Sequence, residues 1–134
     1  MKNLSRLLAV SLLAVIPDLR AELPPSAYEA MQEEAPDFVK IEVLRVDIEP
    51  GGEAGEQKVT AVALVGDVER SASGLKSGDL ITISYVVRQR PRDFVGPGEI
   101  PVLEERTQTI AFLKPTDESA TYTPAAGVMS FSQF

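Results

Sequence analysis

The stretch that decides the fold is Phe38-Val39-Lys40-Ile41-Glu42-Val43-Leu44-Arg45-Val46-Asp47-Ile48. Ile41 and Val43 alternate with Lys40 and Glu42; Leu44, Val46 and Ile48 alternate with Arg45 and Asp47. Each half has the two-residue period of a strand with one buried face. Between Val43 and Leu44 the apolar phase slips by one residue. Such a slip turns every later side chain to the other face unless the strand bulges or bends there. A long first strand that bends at Val43-Leu44 can serve two sheets of a small barrel.

Outward from this strand, the turn signals are frequent. Upstream, residues 22–37 form a lead-in and a short helix over 27–34, with Ser26 and Glu29 spaced as a capping box and Pro36 as the stop. Tyr28 and Met31 share its inner face. Downstream, Glu49-Pro50-Gly51-Gly52-Glu53-Ala54-Gly55-Glu56 is a loop. A second strand over 58–68 puts Val59, Ala61, Ala63 and Val65 on one face, and Gly66 near its end marks a bulge or bend. A turn over 73–79 leads to a third strand, 80–87, with Ile81, Ile83, Tyr85 and Val87 on one face. Residues 89–101 hold three Pro and two Gly and form a long loop. A fourth strand covers 107–113, and the last extended pieces are 121–123 and 128–132. The pattern predicts an all-β domain over 38–134 with one short N-terminal helix, a small five-stranded OB-fold-like barrel. An immunoglobulin-like sandwich is the second choice, since it wants about seven strands.

The composition bounds the chemistry. The 134 residues contain no Cys, His or Trp, and 13 Lys+Arg stand against 20 Asp+Glu for a net charge of -7. Zinc held by Cys or His, a thiolate nucleophile and a Ser-His-Asp triad are excluded. The acidic balance argues against nucleic acid as a partner. Residues 1–21 read as a signal peptide: Lys2 and Arg6 precede a ten-residue apolar run over 7–16 interrupted only by Ser11, Pro17 breaks it, and Ala21 supplies a small residue at the cut. Ten residues are too few for a membrane span, which needs about 20. Cleavage after Ala21 leaves 113 residues with 10 basic and 19 acidic side chains, net -9, exported to the periplasm or the medium.

Three segments carry a family resemblance: SGLKSGDLITISYVV over 73–87, TIAFLKP over 109–115 and YTPAAGVMSF over 122–131. Together they resemble the netrin-like, TIMP-like branch of OB-fold modules, of which exported bacterial proteins carry similar domains. The likeness covers about 41–131 and implies a barrel with a binding or assembly role. The metalloproteinase-inhibiting members ligate zinc through an N-terminal Cys, which this chain lacks, so that activity does not carry over.

Arg88, Arg90 and Arg92 recur every second residue, with Phe94 beside them. On an extended strand all three lie on one side, and Arg forks suit carboxylate or phosphate groups. They are the candidate partner-binding residues; the bland alternative is a solvated strand end paired with Glu104, Glu105 or Asp93. Asp47, Glu49, Glu53 and Glu56 surround the Gly-rich loop, but their spacing is not that of a calcium loop. Glu104-Glu105 and Asp117-Glu118 offer carboxylates for a carboxylate-dependent hydrolase, but nothing in their spacing joins them. Ser73-Gly74-Leu75-Lys76 has the S-x-x-K form but sits in a Gly-flanked turn, not the helix that motif needs. Tyr85, Tyr122, Phe112 and Phe131 fit core positions. No catalytic set, metal or cofactor is expected. The sequence reads as an exported non-catalytic binding module whose partner is a protein or envelope component, or, alternatively, as a structural subunit of an envelope assembly.

Overall fold

The computed structural model describes residues 23–88 and 98–132. The signal segment and Arg90, Arg92 and Phe94 lie outside the described residues. The elements are α1 (Pro25–Glu34), β1 (Asp37–Pro50), β2 (Glu56–Ser71), β3 (Leu80–Arg88), β4 (Gln108–Pro115), β5 (Thr121–Pro124) and a 3-10 turn, Gly127–Met129. The strands close a barrel in the order β1-β2-β3-β5-β4, with β4 returning to β1. All pairs are antiparallel except β3–β5, which is parallel. The five-stranded OB-fold-like barrel follows from the alternation described above.

The bend in β1 is a β-bulge. Val43 pairs with Ala63 and Arg45 with Val62, so Leu44 is the extra residue. Leu44 is 44% exposed, while Val43 is fully buried and Val46 packs against the core. The bulge absorbs the phase slip, so Val46 points inward like Val43 instead of outward. Two further register shifts flank Val39, one of them opposite Gly66 and Asp67 on β2. Val59, Ala61, Ala63, Val65, Ile81 and Ile83 fill the barrel.

A second, smaller core lies outside the barrel wall. Phe38 and Phe112 stack with ring centroids 4.3 Å apart, under Met31, Ala35, Ala125 and Ala126. Here α1 and the C-terminal strap cover the outer face of β1 and β4. Buried Gln32 ties the two together, donating from Nε2 to the carbonyls of Met129 and Ser132 at 2.9 and 2.6 Å. Arg70 of β2 donates to the carbonyls of Gln32 and Ala35 at 2.7 and 3.0 Å, satisfying the C-terminus of a helix that has no basic residue in its own last turn.

Two expectations need correction. The capping box does not form: α1 starts at Pro25, with Pro24 as N-cap and no side-chain cap bond. Proline at the first helical position has no N–H to satisfy and a preset φ, so it starts the helix before Ser26 can cap it. Residues 127–129 turn instead of extending. Gly127 takes φ +53°, and Ser130 Oγ accepts from Ala126 N and donates to the Gly127 carbonyl. That turn directs Phe131 into the barrel beside Tyr85.

Candidate functional site: the rim of the three-stranded wing

β1, β2 and β3 are longer than the barrel needs. Pairing of β1 with β4 stops at Glu42–Gln108, whereas β1–β2 pairing continues to Pro50–Gln57 and β2–β3 pairing to Glu56–Arg88. The distal halves of the three strands therefore project as an antiparallel wing. Segment 98–105 crosses the face that carries Tyr85, with Ile100 and Leu103 against the core. Tyr85 fixes that crossing: its hydroxyl donates to the Pro101 carbonyl at 2.7 Å and accepts from Leu103 N at 3.0 Å. Burial pushes the Tyr85 pKa up, partly opposed by the Leu103 bond. Glu105 Oε1 accepts from Val46 N at 3.1 Å, which blunts the free edge of β1 where β4 has ended.

Arg88 sits at the tip of the wing. Its Nε and Nη2 both meet Glu56 Oε1, at 2.9 and 2.7 Å, and Nη2 lies 3.4 Å from Glu53 Oε2. Its pKa is raised by the Glu56 hydrogen bond first, and then by the charges of Glu56, Glu53 and Glu99. Among the described residues Arg88 thus pairs with Glu53 and Glu56 of the β1–β2 loop, and not with Glu104 or Glu105; Asp93 lies outside the described residues. Glu56 is the keystone of that loop. Its N–H reaches the Glu53 carbonyl, its carbonyl accepts from Gly51 N, and its Oε2 accepts from Glu53 N. Gly51 is required there, because a Cβ would stand 2.5 Å from Glu56 Cβ. Among the described residues the rim is an acidic loop held by Arg88, whose side chain remains 56% exposed. The other cations of the candidate cluster, Arg90 and Arg92, follow it directly in the chain.

The other candidates are placed as follows. Glu105 lies before β4, and Asp117 and Glu118 lie in the turn after it. An eight-residue strand separates them by roughly 25 Å, too far for paired acid–base work. Among the described residues no group of three or more His, Cys, Asp or Glu could hold a metal, and no helix is long and apolar enough to cross a membrane. Ser73 lies in a turn with its hydroxyl directed to Asp37, not to Lys76.

That contact belongs to a polar cluster the sequence reading did not anticipate. Asp37 is fully buried at the end of the barrel opposite the wing. Its Oδ1 accepts from Ser71 Oγ at 2.6 Å, Ser73 Oγ at 2.8 Å and Ser73 N at 3.3 Å. Ser73 Oγ has one proton and gives it to Asp37, so Tyr122 Oη donates to Ser73 across 2.9 Å. Ser71 Oγ accepts from Leu75 N at 2.8 Å. Asp37 Oδ2 has no partner among the described residues. The cluster ties the start of β1 to the 72–79 turn and to β5. A hydroxyl that receives the Tyr122 proton and donates to a buried carboxylate is a fastener, not an attacking group.

The fold and the rim define a small closed β-barrel with a projecting three-stranded wing. Compared with family models, curated proteins and solved structures, the chain matches none.

Proposed function

We propose that this chain is an exported, non-catalytic binding module that recognises a protein or envelope component at the tip of the wing. The observation that carries this reading is the overlong β1–β2–β3 sheet, whose end presents a fixed acidic loop and Arg88 away from the barrel. Recognition residues usually sit on loops held by a rigid scaffold, and the rim has that form. Arg88, Arg90, Arg92 and Phe94 form the docking stretch: in an acidic chain, three Arg within five residues are a local exception that an acidic partner would complement. The netrin-like, TIMP-like kinship rests on the three sequence segments over 73–87, 109–115 and 122–131, and export rests on the pattern of residues 1–21. A structural subunit of an envelope assembly is the second reading, favoured by the exposed Leu44 and Leu80 on the sheet.

Affinity capture of the mature protein from its own envelope fraction tests the proposal. The expected result is a stoichiometric partner whose retention falls with rising salt, because rim charges act through screened fields. The triple variant R88A/R90A/R92A should lose that partner while folding normally. Retention of the partner by the triple variant at all salt concentrations would refute the docking stretch. An eluate no different from one made without the bait would refute the binding function.

A further inference from the structure

Independently of the rim, the outer wall of the barrel carries a groove whose floor is a glycine. Gly66 and Asp67 of β2 together oppose Lys40 of β1. The neighbouring Val65 points into the barrel, so Gly66 is an outward position without a side chain. Lys40, Glu42, Leu64, Asp67 and Ile110 surround it, and the groove measures about 420 Å³. The fold itself does not call for glycine here. Gly66 has no positive φ, and a Cβ would meet only the Lys40 carbonyl at 3.5 Å, an ordinary contact. A glycine inside a strand weakens it, and often marks a place where another group approaches closely. What Gly66 supplies is the space.

The side chains around that space select its occupant. Lys40 Nζ lies 4.0 Å from Asp67 Oδ2, so these two charges offset each other. Glu42 stands on the same face, in register with Leu64 on one side and Gln108 on the other. Among the described residues its carboxylate has no hydrogen bond or ion pair. The groove therefore keeps one net negative charge, in a chain whose net charge of -7 draws cations toward it. Leu64 and Ile110 add hydrocarbon walls. A lone carboxylate beside apolar walls fits an ammonium on a methylene stem, which lies on apolar surface while its charge stays at the polar end. An arginine fork would want a second free acceptor, and the Asp67 carboxylate is engaged by Lys40. Lys40, Glu42 and Asp67 are exposed, so an occupant is covered on one side only, and a side chain presented by another protein brings the remaining cover with it. We propose that the Gly66 groove receives a lysine side chain of a partner protein, its ammonium on Glu42 and its stem along Leu64 over Gly66.

An amide-resolved NMR titration of the purified protein tests this, with the capped tripeptide acetyl-Gly-Lys-Gly-amide as probe. Saturable shifts should map to the amides of residues 40–42, 64–67 and 108–110, which line the groove. Acetylating the probe's ammonium keeps the stem and removes the charge; it should weaken binding at least about tenfold, as expected for losing one hydrogen bond to a charged group. Glu42→Gln, at an exposed side chain, should weaken the unmodified probe by the same factor. Gly66→Val should abolish binding and leave the melting temperature unchanged or higher, because the strand has room for the added side chain. The comparison of the two probes on the native chain needs no variant to fold. No saturable shift, shifts confined to other residues, equal binding of the acetylated probe, or undiminished binding by Glu42→Gln would each overturn the proposal. So would n-butylammonium bound as tightly as the peptide, which would make the occupant a free amine, and a Gly66→Val chain of lowered stability, which would return the glycine to the fold.

Discussion

Replacing Ser73 by Ala removes a donor that a buried carboxylate depends on. In the native cluster Asp37 Oδ1 takes two hydroxyl protons, from Ser71 and Ser73, and a longer bond from Ser73 N. Hydrogen bonds to a charged group contribute about 1.5–3 kcal/mol each. The substitution also leaves the Tyr122 hydroxyl, on a side chain only 6% exposed, without its acceptor. A loss of about 2–3 kcal/mol follows, and for a domain of this size about 1 kcal/mol moves the melting temperature by roughly 4 °C, so a fall near 10 °C is expected. The assay is urea unfolding followed by circular dichroism, run as a double-mutant cycle with Asp37→Ala. Without the carboxylate, Ser73 has nothing charged to serve, and the cost of Ser73→Ala should drop below about 1 kcal/mol. A native-background cost under about 0.5 kcal/mol, or equal costs in both backgrounds, would refute the assignment of Ser73 as the fastener of Asp37.

Other expectations follow from the same geometry. Val43→Ala, on the buried side of the bulge, should cost about 2 kcal/mol, whereas Leu44→Ala at the exposed extra residue should cost under about 0.5 kcal/mol in the same unfolding assay. Tyr85 is neutral when buried, and its raised pKa means that the folded state keeps its proton after the unfolded state has lost it. Stability should therefore fall as pH rises above the ordinary tyrosine value of about 10, and Tyr85→Phe should lessen that alkaline fall while lowering stability at neutral pH by about 1–3 kcal/mol through the unpaired Leu103 N–H. N-terminal sequencing of the protein from outside the cytoplasm should begin at Glu22 or within a few residues of it; recovery of intact Met1 there would contradict cleavage.

The barrel was legible because strand faces have a period of two, and a single slip at Val43-Leu44 announced the bulge. The interior residues Ile81, Ile83, Tyr85 and Val87 were readable from alternation alone. Pairings distant in sequence were not. Arg88 meets Glu56 because β2–β3 pairing stops at Leu64 although β2 runs on to Ser71. That overshoot sets a register that the turn over 73–79 does not reveal. Asp37 gave no signal, since a charged residue after Pro36 reads as loop, and its Ser partners lie 34 and 36 residues away. The outward Phe112 looked like any strand aromatic, and its cover comes from α1 and the C-terminal strap at the two ends of the described chain. Arg70 as the cap of α1 was equally hidden, because helix capping by a strand residue depends on packing and not on local spacing.

The most direct measurement of the binding assignment is amide hydrogen exchange on the purified protein with and without its captured envelope component. Protection should appear in the β1–β2 loop over 51–57 and in the last turn of pairing on β3 over 86–88, while amides of the barrel wall over 61–65 and 81–83, already bonded in the sheet, stay unchanged. No added protection anywhere, or protection confined to the Asp37 end of the barrel, would contradict a partner held at the rim of the wing.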